Sequence, residues 1–246
     1  MSIDEAALAE PADAHPEQWA DQPLARYLAA AWRNSVRTIR NEPALYDALA
    51  EIDGVFRRLV AHADESPERI AGAMLVRTHG SLLAASSLAL GGQVAEAYAL
   101  MRSALRSALL GVFIAGNDER QQIWVARADD DRAAERAQAT FANGPMLRHL
   151  RDLDAATAGI YERLHQRTIE RGAHPNVHGP IANDANEDSI DFSRCYLVVE
   201  DDVQRMALRS TAQVGICTLS MLYYVFGDLY REYGLDGRLT KLRQGH

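Results

Sequence analysis

The longest regular pattern in this sequence is a repeat of apolar residues at spacings of three and four, which begins at Val203 and continues to about Tyr233. This spacing places the apolar side chains on one face of an α-helix, because an α-helix has about 3.6 residues per turn. A helix of that length crosses a whole domain. The pattern therefore predicts a helical bundle built on a long helix near the C-terminus.

Proline and glycine residues divide the preceding chain into further helical segments. Pro23 and Pro43 suit the first position of a helix, and Gly91-Gly92 and Gly116 suit helix ends. The composition agrees, because the sequence contains 41 alanines and alanine is the best helix former. We expect an all-α, up-and-down helical bundle of about seven helices with one long loop before the last helix. The predicted helices begin near residues 23, 43, 67, 93, 118, 146 and 201.

The length of 246 residues allows one large domain or two small ones. We predict a flexible acidic leader over residues 1–22 and a single helical-bundle domain over residues 23–246. The stretch from Met1 to Asp21 has six acidic residues and no lysine or arginine, the opposite of the basic start of a signal peptide. The apolar runs are shorter than the ~18 residues of a membrane span. We therefore expect a cytoplasmic protein with no membrane partner.

The charge and the cysteines exclude several classes of function. A net charge of -8 repels a phosphate backbone, so the charge gives no support to RNA as a partner. Cys195 and Cys217 form no Cys-x-x-Cys pair, which excludes a zinc knuckle and a dithiol redox motif. His79 shares a helix face with apolar residues and is predicted to be a hydrogen-bonded core residue.

One segment departs from the helical pattern. Residues 172–191 read GAHPNVHGPIANDANEDSID, and a loop of ~20 residues inside a compact domain is uncommon unless it is functional or disordered. The next residues, 193–199, are rich in β-prone side chains and predict a short extended piece against the bundle. Basic and imidazole side chains gather at the start of the loop: Arg163, Arg167 and Arg171 at intervals of four, and His165, His174 and His178.

These arginines and histidines carry a family resemblance. Six residues separate Arg167 from His174, and six separate Arg171 from His178, near the end of a helix in an all-α chain. This arrangement resembles the motif of the HEPN superfamily. The segment AYALMRSALRSALLGVFIAG, around Met101 to Ala115, also looks like a related group of uncharacterised bacterial helical proteins. The resemblance covers roughly residues 94–227.

The resemblance implies a metal-independent ribonuclease, often assembled across a homodimer, or an inactive relative. It assigns proton transfer at the ribose 2′-hydroxyl to His174 or His178, and stabilisation of phosphate charge to Arg167 or Arg171. It implies a homo-oligomer and neither a cofactor nor a bound metal. Two positions depart from the family: Arg106 stands where the related proteins carry a glutamate, and Gly172 follows Arg171 where a polar residue is usual.

Two other interpretations use the same residues. In the first, the chain is a non-catalytic helical interaction module, and its arginines form ion pairs with Glu162 and Glu170 on a solvated face. In the second, His174 and His178 bind a metal together with His165 or Glu170. The metal site needs a helix through this segment, and Pro175 and Gly179 oppose one.

Overall fold

The computed structural model of the chain describes residues 22–173, 196–198 and 201–245. These residues form α-helices, one short 3-10 helix at Ala63–Glu65 and one π-helical turn at Ile169–Ala173, and they contain no β-strand. The predicted all-α class is confirmed. All but the last residue of the predicted leader lies outside the described residues, as do His174 and His178.

The α-helices, numbered along the chain, are α1 (Pro23–Asn41), α2 (Pro43–Ala61), α3 (Arg69–Gly91), α4 (Val94–Ile114), α5 (Asp118–Ala126), α6 (Asp131–Thr140), α7 (Asn143–Leu153), α8 (Ala155–Thr168), α9 (Asp201–Glu232) and α10 (Leu235–Gly245).

The described helices outnumber the seven expected, because two predicted helices are divided by aspartate caps. The Asp130 carboxylate accepts a hydrogen bond from the backbone N–H of Ala133 at 2.7 Å and starts α6. Asp154 accepts from the N–H groups of Ala156 and Thr157, both at 3.0 Å, and starts α8. Such caps satisfy N–H groups that have no partner within the helix. The long helix α9 is also not the last, because α10 follows it.

Helix α9 occupies the centre of the described fold. It contacts α2, α3, α4, α8 and α10, and the antiparallel pair α3 and α4 forms the largest contact between any two helices. Gly215 of α9 lies so close to α2 that a Cβ there would stand 2.8 Å from Ile52 Cγ2. The largest side chains of the core are fully buried between these helices: Phe56, Tyr98, Tyr161, Phe226 and Tyr230.

The turn between α3 and α4 holds the residues that precede α9. Gly92 has φ +88°, and a Cβ at this position would overlap Asn34 Nδ2 and the Val198 carbonyl oxygen. The Val198 N–H donates to the Gly92 carbonyl at 2.8 Å, and Asn34 Nδ2 donates to the carbonyls of Gly91 at 2.9 Å and Val198 at 3.0 Å. Of the predicted extended piece at 193–199, the described residues 196–198 therefore lie against the bundle, as a turn rather than a strand.

Helix α4 is the one helix in the described ranges that is long and apolar enough to cross a membrane by length and composition alone. In the most apolar 18-residue stretch of this helix, 72% is buried inside the bundle. Burial of this kind is typical of the core helix of a bundle, where an apolar surface on all sides contacts other helices.

His79 is a hydrogen-bonded core residue, as its position in the sequence predicts. It is 8% exposed, and its Nε2 lies 2.7 Å from Asp53 Oδ1. Its ring stacks on Phe56, with the ring centroids 5.1 Å apart. The imidazole thus joins α3 to α2.

We expect the free energy of unfolding to decrease as the pH is lowered from neutral to mildly acidic, in part because of His79. Burial lowers the pKa of His79 by more than Asp53 raises it, so the folded pKa is below the ordinary value of 6.5. Between these two pKa values the unfolded chain binds more protons, and the free energy of unfolding decreases as the pH falls. Urea unfolding at pH 7.5 and at pH 5 measures the difference in the free energy of unfolding between the two pH values. This difference should be smaller in His79→Gln. An equal difference in this variant would contradict the assignment.

Candidate functional site

Helix α8 carries two of the predicted arginines into a groove between α8 and α9. The groove has a volume of about 520 Å³, and Arg243 of α10 also lines it. We call it the α8/α9 groove. The residues that define it are Asp154, Arg163, Arg167, Gln213, Cys217 and Arg243.

Arg167 is half-buried in this groove and is held by neutral partners. Its Nη1 donates to Gln213 Oε1 at 2.8 Å and to Ser210 Oγ at 3.4 Å. Ser210 Oγ lies in turn 3.3 Å from the hydroxyl of Tyr98. A guanidinium has five N–H donors, so these contacts orient Arg167 and leave donors for a ligand. Its positive charge is not neutralised by any carboxylate in the described ranges.

The carboxylates of Glu162 and Glu170 lie beside the arginines of α8, and the ion pairs that the interaction-module interpretation places there stay a prediction. Glu162 pairs with Arg151 of α7 at 2.9 Å, and Glu170 accepts a hydrogen bond from Gln166 at 2.9 Å. Because α7 lies beside α8, Arg151 reaches the carboxylate of Glu162 on that helix.

Arg171 lies near Arg167, in the π-helical turn that follows α8. It is exposed and lines a shallow depression of the surface together with Arg163 and Arg167 and with the carboxylates of Glu162 and Glu170. The structure therefore brings together the two predicted arginines. The partners that the sequence predicts for them, His174 and His178, are not among the described residues.

The far end of the groove contains one carboxylate and one further arginine. Burial raises the pKa of Asp154, but hydrogen bonds from Thr157, Tyr224 and Ala156 together lower it by a larger amount. The pKa of Asp154 is therefore below its ordinary value. Arg243 Nε donates to Ser220 Oγ at 3.0 Å. Three arginines thus line the groove against one aspartate, and the groove is locally basic in a chain of net charge -8.

Cys217 lies in the wall of the groove and is buried. Burial raises the pKa of its thiol to about 12. Because the thiolate is the reactive form of cysteine, this residue is not a nucleophile at neutral pH. The chemistry of the groove therefore belongs to its guanidinium and amide groups.

Gly172 explains one of the two departures from the family motif. A Cβ at this position would overlap the Ala95 carbonyl oxygen and stand 2.8 Å from Tyr98 Cβ. The π-helical turn at Ile169–Ala173 thus packs directly on α4, which only a residue without a side chain permits. This contact holds the π-helical turn, which contains Arg171, against α4.

His165 faces away from the α8/α9 groove. Positions 165 and 167 differ by about 200° around an α-helix, so their side chains point to opposite sides. The His165 ring stacks on Tyr161 at 5.4 Å, beside α4 and α7. His165, the one histidine of the three near the loop that lies in the described ranges, is therefore separated from Arg167.

Two groove residues, Gln213 and Arg243, are absent from the sequence-based prediction. They lie 46 and 76 positions after Arg167, on α9 and α10, and reach it only through the tertiary fold. A polar residue within the apolar repeat of α9 is a weak signal for Gln213. No local signal marks Arg243, because its helix was itself not predicted.

In the described ranges, no group of three histidine, cysteine, aspartate or glutamate side chains is arranged to hold a metal ion. The predicted metal ligands His174 and His178 lie outside those ranges. Comparison of the chain with protein-family models, with curated proteins and with solved structures found no match. The HEPN resemblance therefore rests on the motif residues themselves.

Proposed function

We propose that this chain is a HEPN-like, metal-independent ribonuclease of the cytoplasm whose phosphate-binding residue is Arg167. The RNA backbone lies in the α8/α9 groove, with Arg171 at its entrance. His174 or His178 transfers the proton at the ribose 2′-hydroxyl. The proposal uses no cofactor and no metal ion.

The observation that carries this proposal is the environment of Arg167. A half-buried guanidinium that has only neutral partners is costly, because its charge has lost part of its hydration without gaining a counter-charge. A phosphodiester supplies that counter-charge and accepts two parallel hydrogen bonds from the planar guanidinium. Gln213 holds the side chain in place before the ligand arrives, which lowers the entropic cost of binding.

The groove also suits the substrate class. Its volume of about 520 Å³ is within the usual range for small-ligand sites and can accommodate a nucleotide unit. Arg163 and Arg243 extend the positive charge along its length. A locally basic groove attracts a phosphate backbone even where the net charge of the protein is negative.

The reaction follows from these groups without a metal. The neutral histidine takes the proton of the 2′-hydroxyl while the 2′-oxygen attacks phosphorus, and the bond from phosphorus to the 5′-oxygen breaks. The 5′-oxygen leaves as an alcohol after taking a proton from water, and the protonated histidine returns its proton to the hydroxide so formed. Arg167 stabilises the negative charge that develops on the phosphate oxygens. The products are a 2′,3′-cyclic phosphate and a 5′-hydroxyl end.

We expect purified protein to cleave single-stranded RNA in EDTA and to leave 2′,3′-cyclic phosphate ends. A His174→Ala, His178→Ala double variant should lose activity by about 10²-fold or more, the usual contribution of a general acid or base. Labelled RNA resolved on gels measures both rates. Equal cleavage by the two proteins would contradict the proposal, and binding without cleavage would identify an inactive relative.

The second candidate function, an interaction module that self-associates, is favoured by an apolar stripe on α1. Leu24, Leu28 and Trp32 are spaced by four and are 67%, 52% and 55% exposed. The stripe is symmetric about Leu28, so a twofold contact would place Trp32 of one copy against Leu24 of the other. Exposed apolar patches of this kind mark interaction surfaces. We propose a second copy of this chain as the occupant, consistent with a homodimer.

We expect the wild-type chain to be a dimer and Leu28→Glu to be a monomer, because a charge at the centre of the stripe would be buried in the contact. Size-exclusion chromatography with light scattering measures the mass. Val125→Glu is a matched control, since Val125 is 68% exposed on α5 and lies outside the stripe. A wild-type monomer, or a dimer that survives Leu28→Glu, would contradict this proposal.

A further inference from the structure

A second group of basic side chains lies on the side of α8 that faces away from the α8/α9 groove. It consists of Arg102 and Arg106 of α4 and His165 of α8, which we call the α4/α8 cluster. Arg102 and Arg106 are four residues apart on one helix, so their side chains leave the same face. Both are half-buried, and both remain open to solvent.

A network of neutral groups joins the members of this cluster. Arg106 Nη1 donates to Asn143 Oδ1 at 3.3 Å, and the same oxygen accepts a hydrogen bond from the Tyr161 hydroxyl at 2.7 Å. The Tyr161 ring stacks on His165 with an interplanar angle of 17°. One amide oxygen thus serves two donors, and most N–H groups of Arg106 remain available.

The positive charge of the cluster has no counter-charge in the described ranges. Neither Arg102 nor Arg106 forms an ion pair with a carboxylate there. Burial, and then the positive charges of Arg102 and Arg106, lower the pKa of His165. The Nε2 of His165 is buried and has no hydrogen-bond partner among the described residues.

We propose that the α4/α8 cluster is a second anion site, which binds a phosphate group through Arg102, Arg106 and His165 Nε2. A tetrahedral oxyanion has several acceptor oxygens, enough for two guanidinium groups and an imidazole N–H. Its charge offsets the repulsion between two arginines one helical turn apart. The phosphate belongs either to free inorganic phosphate or to a nucleoside monophosphate. The inference is independent of the ribonuclease proposal, because it uses the opposite side of α8.

Isothermal titration calorimetry at constant ionic strength, with inorganic phosphate and with adenosine 5′-monophosphate, tests the site. We expect binding that Arg106→Gln and Arg102→Gln each weaken by about tenfold or more, since each removes charge-assisted hydrogen bonds. The tighter of the two ligands identifies the source of the phosphate. Arg148→Gln is the matched control, because Arg148 is exposed on the neighbouring α7.

Two further variants keep the test decisive. Arg167→Gln removes phosphate binding in the α8/α9 groove and should retain the binding that Arg106→Gln weakens, so that failure of one site is distinguished from failure of the other. Arg106→Lys retains the charge without the planar fork and should bind with intermediate affinity, which also covers the case in which Arg106→Gln does not fold. The absence of binding by both ligands overturns the proposal, as does binding that depends on Arg167 alone.

Discussion

Arg167→Ala is expected to reduce RNA cleavage by about 10²-fold or more while the protein stays folded. The guanidinium is the one group in the α8/α9 groove that is half-buried, oriented by Gln213 and free of a carboxylate partner in the described ranges. Its loss removes the charge that stabilises the reacting phosphate. Cleavage rates in EDTA measure the catalytic effect, and urea unfolding measures the stability of the variant.

Two comparison variants distinguish the loss of the positive charge at position 167 from the loss of the planar guanidinium group. Arg167→Lys keeps one positive charge but cannot form two parallel hydrogen bonds, so we expect it to recover only part of the activity. Arg132→Ala removes an exposed arginine from α6 and should retain the wild-type rate. Wild-type cleavage by Arg167→Ala would show that the groove is not the site of reaction.

Gly172→Val is expected to lower the free energy of unfolding by about 3 kcal/mol, the upper range for an overpacked core. The backbone of the π-helical turn contacts α4 so closely that even a methyl group would overlap the Ala95 carbonyl oxygen. The turn must therefore move away from α4, and Arg171 must move with it. Urea unfolding measures the loss of stability, and RNA cleavage by the folded fraction measures the displacement of the site.

Gly80→Ala provides the matched control for this variant. Gly80 is in the middle of α3, and a Cβ there meets nothing within 4 Å. Alanine should therefore stabilise the helix by about 0.5–1 kcal/mol, because it restricts the unfolded chain. If Gly172→Val were as stable as the wild type, the close contact between the turn and α4 would be wrong.

The long helices could be predicted from the sequence because their apolar spacing is a local signal. The helix predicted after Asp201 and up to about Tyr233 matches α9 at Asp201–Glu232. The division between α5 and α6 was missed because Asp130, the capping residue, is one of several neighbouring aspartates. The π-helical turn was missed as well, since it depends on how closely Gly172 approaches α4, which is a tertiary contact.

The candidate site also has a part that could be predicted from the sequence and a part that depends on tertiary contacts. The interval of four between Arg163, Arg167 and Arg171 predicted that they share a stripe, and the structure places all three at one depression. Their partners could not be predicted from spacing, because Gln213 and Arg243 come from distant parts of the chain. The ion pair of Glu162 with Arg151 could not be predicted either, because α7 brings that arginine to α8 only in the tertiary fold.

The central position of α9 determines the order in which this protein can assemble on the ribosome. A nascent chain that ends before residue 201 has already made α2, α3, α4 and α8, but nothing yet covers the surfaces that α9 contacts. Those apolar surfaces stay exposed until α9 emerges from the exit tunnel. Synthesis that stops before α9 therefore yields a product prone to aggregation and proteolysis, and the bundle closes only after α9 has been made.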